Sequence, residues 1–426
     1  MQKRNKKLFD YAPRLPFSSL SFSDRRLLID LQKEYFKRWG RKKCVAVQIP
    51  GRIEIIGNHL DHNAGTVIAA AIDSCVLALA SKRDSLIQVA SRELQKEFTV
   101  QLGEAPNALE GNTERLIYGM VLACQHKGYH VGGFHALVHS AIIPGAGLSS
   151  SAAFTLFVGL VISVFYNEGR IPLLDLAYMA QYSEHVYMGK DSGLMDQLVC
   201  AYGGTLFMDF KTSPPSMQRL SFNIGPYLPC VLITNEGHEH MQDKYTCISQ
   251  DMKALANVCG AKLLGKVNKE QFRNCILRAR DQVGDQACLR GIHFFSELSR
   301  VQDVYRALES GNTKEFLTCI RESSSSSWRL LQNVYDHACN WSQELALFIA
   351  LSELFFQEYS HTVGVCRVHG GGFSGSVLAF IQQDFLDAYR IMLEQTIGRD
   401  VLHVLTVRDY GAVVVALSED MLDTSQ

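Results

Sequence analysis

The chain has 426 residues, is 47% hydrophobic and 20% charged, and carries a formal net charge of −1. That length exceeds one ordinary hydrophobic core, so two domains are expected, and the balanced charge argues against a large nucleic-acid or membrane-surface footprint. No apolar run is long enough to span a bilayer, and the basic stretch Met1–Lys7 leads into Leu8-Phe9-Asp10 rather than a signal-peptide core. Twelve scattered cysteines, none at Cys-x-x-Cys spacing, fit free thiols in a reducing compartment, so a cytoplasmic protein is expected.

A helix is predicted over Ser23–Trp39, capped by Ser23 and ended by Gly40, with Leu28, Leu31, Tyr35 and Trp39 on one stripe. Short apolar and β-branched segments at 44–49, 66–72, 74–80, 86–90 and 98–102 read as strands, broken by Pro50, Gly51, Gly65 and the 82–85 turn. Residues 114–127 read as a helix and 134–143 as a strand. After a Gly/Ser-rich segment, a helix runs to about Tyr166. Pro172 opens another helix that Gly189 closes, and 203–210 reads as a strand. The stretch Lys211–Met217, with two prolines, is the best linker, dividing the chain into 1–213 and 214–426.

Beyond it, 230–234 reads as a strand, followed by a mostly helical stretch to about Gln357. The serine run at 323–327 fits either a flexible linker or a helix cap or ligand loop ahead of Trp328. Strands at 363–368, 375–381 and 402–407, with a helix at 384–395, give a compact second domain, and the fold class is α+β.

Three segments carry chemistry. Pro144-Gly-Ala-Gly-Leu-Ser-Ser-Ser-Ala-Ala153 precedes the apolar run 152–165. Its glycines let backbone N–H groups converge, and a helix starting at the serines adds free N–H groups and a positive dipole end. Phosphate suits such a site, although a plain Gly/Ser helix cap fits the stretch by itself. No Lys follows the glycines, so it is not a Walker A loop.

The segment Ile49–His62 packs Arg52, Asn58, His59, Asp61 and His62 between apolar strands. Arg52 offers a planar donor fork for a phosphoryl or carboxylate group, and the others offer the mixed hydrogen-bond partners a polyol requires. A polar hairpin tip is the alternative. Downstream, Glu184 near the end of one helix and Asp196 at the start of the next suggest a division of labour, one holding magnesium and one deprotonating a hydroxyl. The third segment, Arg367-Val-His-Gly-Gly-Gly-Phe-Ser-Gly-Ser376, permits close backbone approach to a ligand, or forms a tight turn.

Together these segments resemble the galactokinase, homoserine kinase, mevalonate kinase and phosphomevalonate kinase (GHMP) family, its galactokinase branch in particular. Residues 50–61 are similar to that branch's first signature. The loop from Pro144 is similar to its second, one residue shorter before the glycines, and 369–375 to its third. Gly193-Leu-Met-Asp-Gln197 and, more weakly, Thr234, Asn235, His238 and Tyr245 also match, so the likeness runs in order over most of the chain.

The resemblance implies a two-domain fold with the active site in the cleft, and ATP-dependent phosphorylation of galactose at its anomeric hydroxyl. It implies Asp196 as base with Arg52 as its electrostatic partner, and a triphosphate cradle of Gly145, Gly147, Leu148, Ser149, Ser150 and Ser151. Ser151 and Glu184 would hold Mg²⁺, and Asn58, His59, Asp61, Gly193 and Tyr245 would meet the sugar. The partner implied is a small sugar, with no nucleic acid or membrane, for a monomer or weak homo-oligomer. Asn58 and His62 stand where galactokinases usually carry Glu and Tyr, which keeps another sugar (an amino sugar or a pentose) as an alternative; a non-catalytic sugar-sensing role, which some galactokinase relatives have, is a further one that the intact Ser-Ser-Ser-Ala run argues against.

Overall fold

Two long apolar segments, Val45–Ile56 (β2) and Thr66–Lys82 (β3), pair antiparallel at the centre of the molecule. Nearly every residue of both is buried, the pattern of strands covered on two faces rather than of an exposed hairpin. The computed structural model describes residues 8–104, 111–190, 192–235, 242–335 and 342–417. Around this pair the sheet is completed by β1 (Arg14–Pro16), β4 (Leu86–Ser91), β5 (Lys96–Gln101), β6 (Phe134–Ser140), β7 (Thr205–Asp209), β8 (Ser216–Leu220) and β13 (Val413–Ala416). The strand order is β1-β13-β2-β3-β6-β4-β5, with β7 and β8 added beside the first half of β3.

Helix α1 (Phe22–Trp39) covers one face, packing Leu28, Leu31 and Tyr35 on Ala46, Leu77 and Leu79. Its cap is Ser21, whose Oγ accepts from the Asp24 N–H at 3.0 Å, two residues earlier than expected. The other face carries α2 (Asn112–His126), α3 (Ser150–Tyr166), α4 (Leu173–Met188) and α5 (Met195–Tyr202). Predominantly apolar, α3 is buried from Ala152 to Ser163 apart from the half-buried Phe154, as a helix enclosed by protein must be.

The second sheet is antiparallel throughout, in the order β10-β11-β9-β12, from β9 (Tyr227–Ile233), β10 (Gly364–His369), β11 (Ser376–Gln382) and β12 (Leu402–Val404). Helices α9 (Glu344–Tyr359) and α10 (Leu386–Ile397) pack Phe348, Phe355 and Tyr389 on one face. The other face meets α8 (Thr313–Ser326), where Phe316 stands edge-on to Phe380 at 5.0 Å. Also in this half are α6 (Gln242–Val258) and the long α7 (Lys269–Ser310), which is two helical segments meeting at Gly284 (φ 85°).

Three expectations change. The division at 213/214 falls between β7 and β8, which pair with each other, and β13 returns from the chain's end to the first sheet. Sheet membership therefore assigns 14–220 and 413–416 to one sheet and 227–404 to the other. Pro50 and Gly51 do not end a strand but sit at a bulge inside β2, and 66–82 is one strand, not two. The serine run is neither linker nor cap. It lies in the last turns of α8 and the π-helical turn after it, where Ser323, Ser324, Ser326 and Ser327 are buried and Ser323 and Ser326 bond to Glu297 and His293 of α7.

Candidate active site

The segment between β6 and α3 turns back on itself because Gly145 and Gly147 adopt positive φ (77° and 68°), and Ser149 follows in the left-handed region at 64°. This aims the N-terminus of α3, with Ser150 and Ser151, into a cavity of about 350 Å³. The cavity is walled by this loop, by β2, by Lys190 and residues of 192–196, and by the glycines after β10. All six loop residues expected to cradle a triphosphate line it. Leu148 does so with its backbone, since its side chain is buried and its carbonyl accepts from the Arg52 N–H at 3.2 Å.

Arg52 is 5% exposed and spans two parts of the site. Its Nε and Nη2 both reach Asp196 Oδ1, at 2.7 and 2.6 Å, and its Nη1 donates to the Gly147 carbonyl of the loop. Asp196 Oδ2 accepts from Ser149 Oγ at 2.5 Å. Burial alone would raise the Asp196 pKa, but Arg52, Lys190 and the Ser149 hydroxyl outweigh it and hold the carboxyl below its ordinary value. Asp196 is therefore ionised at neutral pH beside the glycine–serine turn.

Glu184, fully buried near the end of α4, accepts from Ser151 Oγ at 2.9 Å and pairs with Lys190 Nζ at 2.7 Å. Both expected magnesium donors are thus adjacent. Lys190 lines the cavity beside them and carries no expectation from the sequence. One signal could have found it, the return of the chain at the helix-ending Gly189, which folds Lys190 back over the last turn of α4.

On the opposite wall, Asp61 Oδ1 accepts from the His62 N–H at 2.9 Å. Burial, then the nearby Asp196 charge, push Asp61 up to about 6. Gly193 presses on it so closely that a Cβ there would lie 1.8 Å from Asp61 Oδ2. Tyr245 donates from its hydroxyl to the Gly372 carbonyl at 3.0 Å and closes the far side. His59 Nε2 donates to the Gly371 carbonyl at 2.9 Å, which leaves Nδ1 to accept from His62 Nε2 at 3.1 Å, and Asn63 donates to His62 in turn. His62 thus orients His59. Asn58 is completely buried, bonded to Glu54, Gly370 and Asn333. His238 lies outside the described residues.

The end of β10 fastens this wall in place. The Glu54 N–H donates to His369 Nε2 at 3.1 Å, so Nδ1 carries the ring proton and donates to Ser376 Oγ at 3.0 Å, whose hydroxyl donates to the Ala146 carbonyl at 2.6 Å. Burial, with Arg52 and Arg367 nearby, pushes His369 well below the ordinary imidazole value and keeps it neutral. One relay therefore runs from β2 through the second sheet to the phosphate-type loop. Sequence reading put Arg367 in the 363–368 strand and, with His369, in a glycine-rich segment that either nears a ligand or turns tightly, and assigned Glu54 nothing. The alternation Arg52-Ile53-Glu54-Ile55, with both isoleucines fully buried, is the signal that Glu54 shares the cavity face with Arg52.

Residues 115–204 match the GHMP kinases N terminal domain, and residues 33–82 match the galactokinase galactose-binding signature. The chain carries a GHMP-type kinase N-terminal domain. The chain is 26% identical over 370 residues to the galactokinase of Clostridium tetani, covering 85% of this chain and 90% of that one. It is 25% identical over 398 residues to the galactokinase of Glaesserella parasuis, with 90% and 98% covered. Its fold superposes on Lactococcus lactis galactokinase complexed with galactose with a TM-score of 0.79, at 24% identity, over 91% of this chain and 99% of that one. Methanococcus jannaschii mevalonate kinase shares the fold at a TM-score of 0.59 and 15% identity, covering 86% and 99%. Among the described residues no helix is long and apolar enough to cross a membrane.

Proposed function

We propose that this protein transfers the γ-phosphoryl group of ATP to the anomeric hydroxyl of galactose, giving galactose 1-phosphate and ADP. One observation carries the reading: Asp196 is ionised and fixed by Arg52 and Ser149 at the mouth of the phosphate-type loop. The matched galactose-binding signature and the relatives named galactokinase support the substrate.

In this reading the triphosphate lies on the N–H groups of 145–151 and the N-terminus of α3. Asp61, Gly193, His59 and Tyr245 border the sugar, and its anomeric hydroxyl points at Asp196. Phosphoryl transfer of this kind needs positioning and charge neutralisation more than strong base catalysis. A carboxylate with a lowered pKa suits that demand: it orients the hydroxyl and takes its proton as the O–P bond forms. Arg52, bonded at once to Asp196 and to Gly147, brings a permanent positive charge to the point where negative charge accumulates.

The Ser151 hydroxyl and Glu184 carboxylate form an all-oxygen pair, 2.9 Å apart, next to the cradle, and such donors fit Mg²⁺ bound with phosphate oxygens. Ser151 and Glu184 would hold the ion, which supplies charge neutralisation at the phosphates. Lys190, now on Glu184, is placed to add a further positive charge there.

A screen of hexoses, amino sugars and pentoses with ATP, scored by ADP release and by the position of the phosphate in the product, tests the reading. Galactose 1-phosphate with the highest kcat/KM is the expected result. A different preferred sugar, or binding without turnover, would replace it.

A further inference from the structure

Asn58 has no hydrogen-bond donor left for a ligand. Its Nδ2 donates to the Gly370 carbonyl at 2.5 Å and to Glu54 Oε1 at 3.3 Å, and its Oδ1 accepts from Asn333 Nδ2 at 2.8 Å. An amide has two N–H donors, and both are spent inside the protein. Glu54 differs. It stands two residues from Arg52 on β2 and lines the same cavity. The bonds drawn to its carboxyl, from Asn58 and from Arg367 Nη2 at 3.0 Å, both end on Oε1, and Oε2 accepts none among the described residues. Arg367 is fully buried, with Nη1 fixed on the carbonyls of Glu54 and Ile55 at 3.1 and 3.3 Å. The carboxyl is thus clamped from behind with one oxygen uncommitted, the arrangement of a preorganised hydrogen-bond acceptor.

We propose that Glu54 reads a hydroxyl of the sugar through Oε2, and that Asn58 positions Glu54 without touching the sugar. This rests on the sugar-kinase reading above. The hydroxyl donates to Oε2 and no bond is made or broken, so Glu54 sets specificity rather than chemistry. Asn58 acts by holding Oε1 and by tying the 370–371 turn to β2.

The test measures kcat/KM on galactose and on each monodeoxygalactose, at saturating ATP, for the wild type, Glu54→Gln and Asn58→Ser. The wild type should disfavour one deoxy sugar by about 10- to 100-fold, the worth of a hydrogen bond to a charged group. Glu54→Gln should erase that ratio by slowing galactose and every deoxy sugar that keeps the hydroxyl, whereas Asn58→Ser, with Arg367 still holding Oε1, should slow all sugars together and reduce the ratio only in part. Glu54→Asp retains a charge for Arg367 while drawing the carboxyl back, and gives the same readout should Glu54→Gln fail to fold. Unchanged ratios in both Glu54 variants, or a ratio erased by Asn58→Ser, overturn the proposal. A wild type that prefers another hexose sinks the galactose reading instead, and deoxy forms of that hexose then test Glu54 in the same way.

Discussion

Arg52 and Asp196, both largely out of solvent, each make the other's charge tolerable. Replacing Arg52 by Lys keeps the charge but not the fork that holds Asp196 Oδ1 and the Gly147 carbonyl together. The expected loss in kcat is about 10²-fold, with the KM for ATP changed far less, measurable by steady-state kinetics. Asp61 is strained in the opposite sense. Its folded-state pKa is raised to about 6, so the folded protein favours its protonated form, and the stability it contributes is lost as pH rises through about 6. Asp61→Asn should therefore raise Tm above wild type near pH 8, with the gain shrinking as pH falls through 6, while the KM for sugar rises by about 10-fold or more. Thermal scans across pH read the first effect and sugar titrations the second. A Tm difference independent of pH would show that Asp61 is not the titrating group.

At the scale of elements, the apolar periodicity of α1 and α3, and the Pro172 and Gly189 signals around α4, were legible because helix ends are written in a few local residues. The course of β2 and β3 was not. Pro50 and Gly51 resemble breakers, and only pairing with a long neighbour, with a bulge absorbing the mismatch, carries the strand through them. That bulge matters to the site, because Arg52 and Glu54 follow it on the strand that lines the cavity. The serine run misled for a related reason: buried serines satisfied by partners on another helix look like solvated ones in a single sequence. The 190–196 segment supports a sharp prediction. Gly193→Ala would drive a Cβ into Asp61 Oδ2, and displacing that carboxylate by about 1 Å should cost on the order of 10²-fold in kcat/KM for sugar with ATP affinity retained. Isothermal titration with nucleotide, beside sugar kinetics, separates the two.

Across the whole molecule, the two sheets meet where β10 reaches β2, through Arg367 on Glu54 and His369 on the Glu54 N–H. The sequence placed these motifs in order but not in contact, since residues more than three hundred positions apart are joined by topology, not by local pattern. Nor could it show β13 rejoining the first sheet. Arg367→Met removes one partner of a fully buried pair and should cost about 3–5 kcal/mol, seen as a lower urea midpoint. An unchanged midpoint would mean the sheets do not depend on this contact.

Asp196 is the residue on which the proposed transfer turns. Product formation from ATP and galactose, followed by phosphorus NMR for the wild type and Asp196→Asn, with nucleotide binding measured in parallel, tests this role. Galactose 1-phosphate is expected from the wild type, and turnover lowered by about 10²- to 10⁴-fold in Asp196→Asn with ATP binding intact. Near-normal turnover by Asp196→Asn would contradict it.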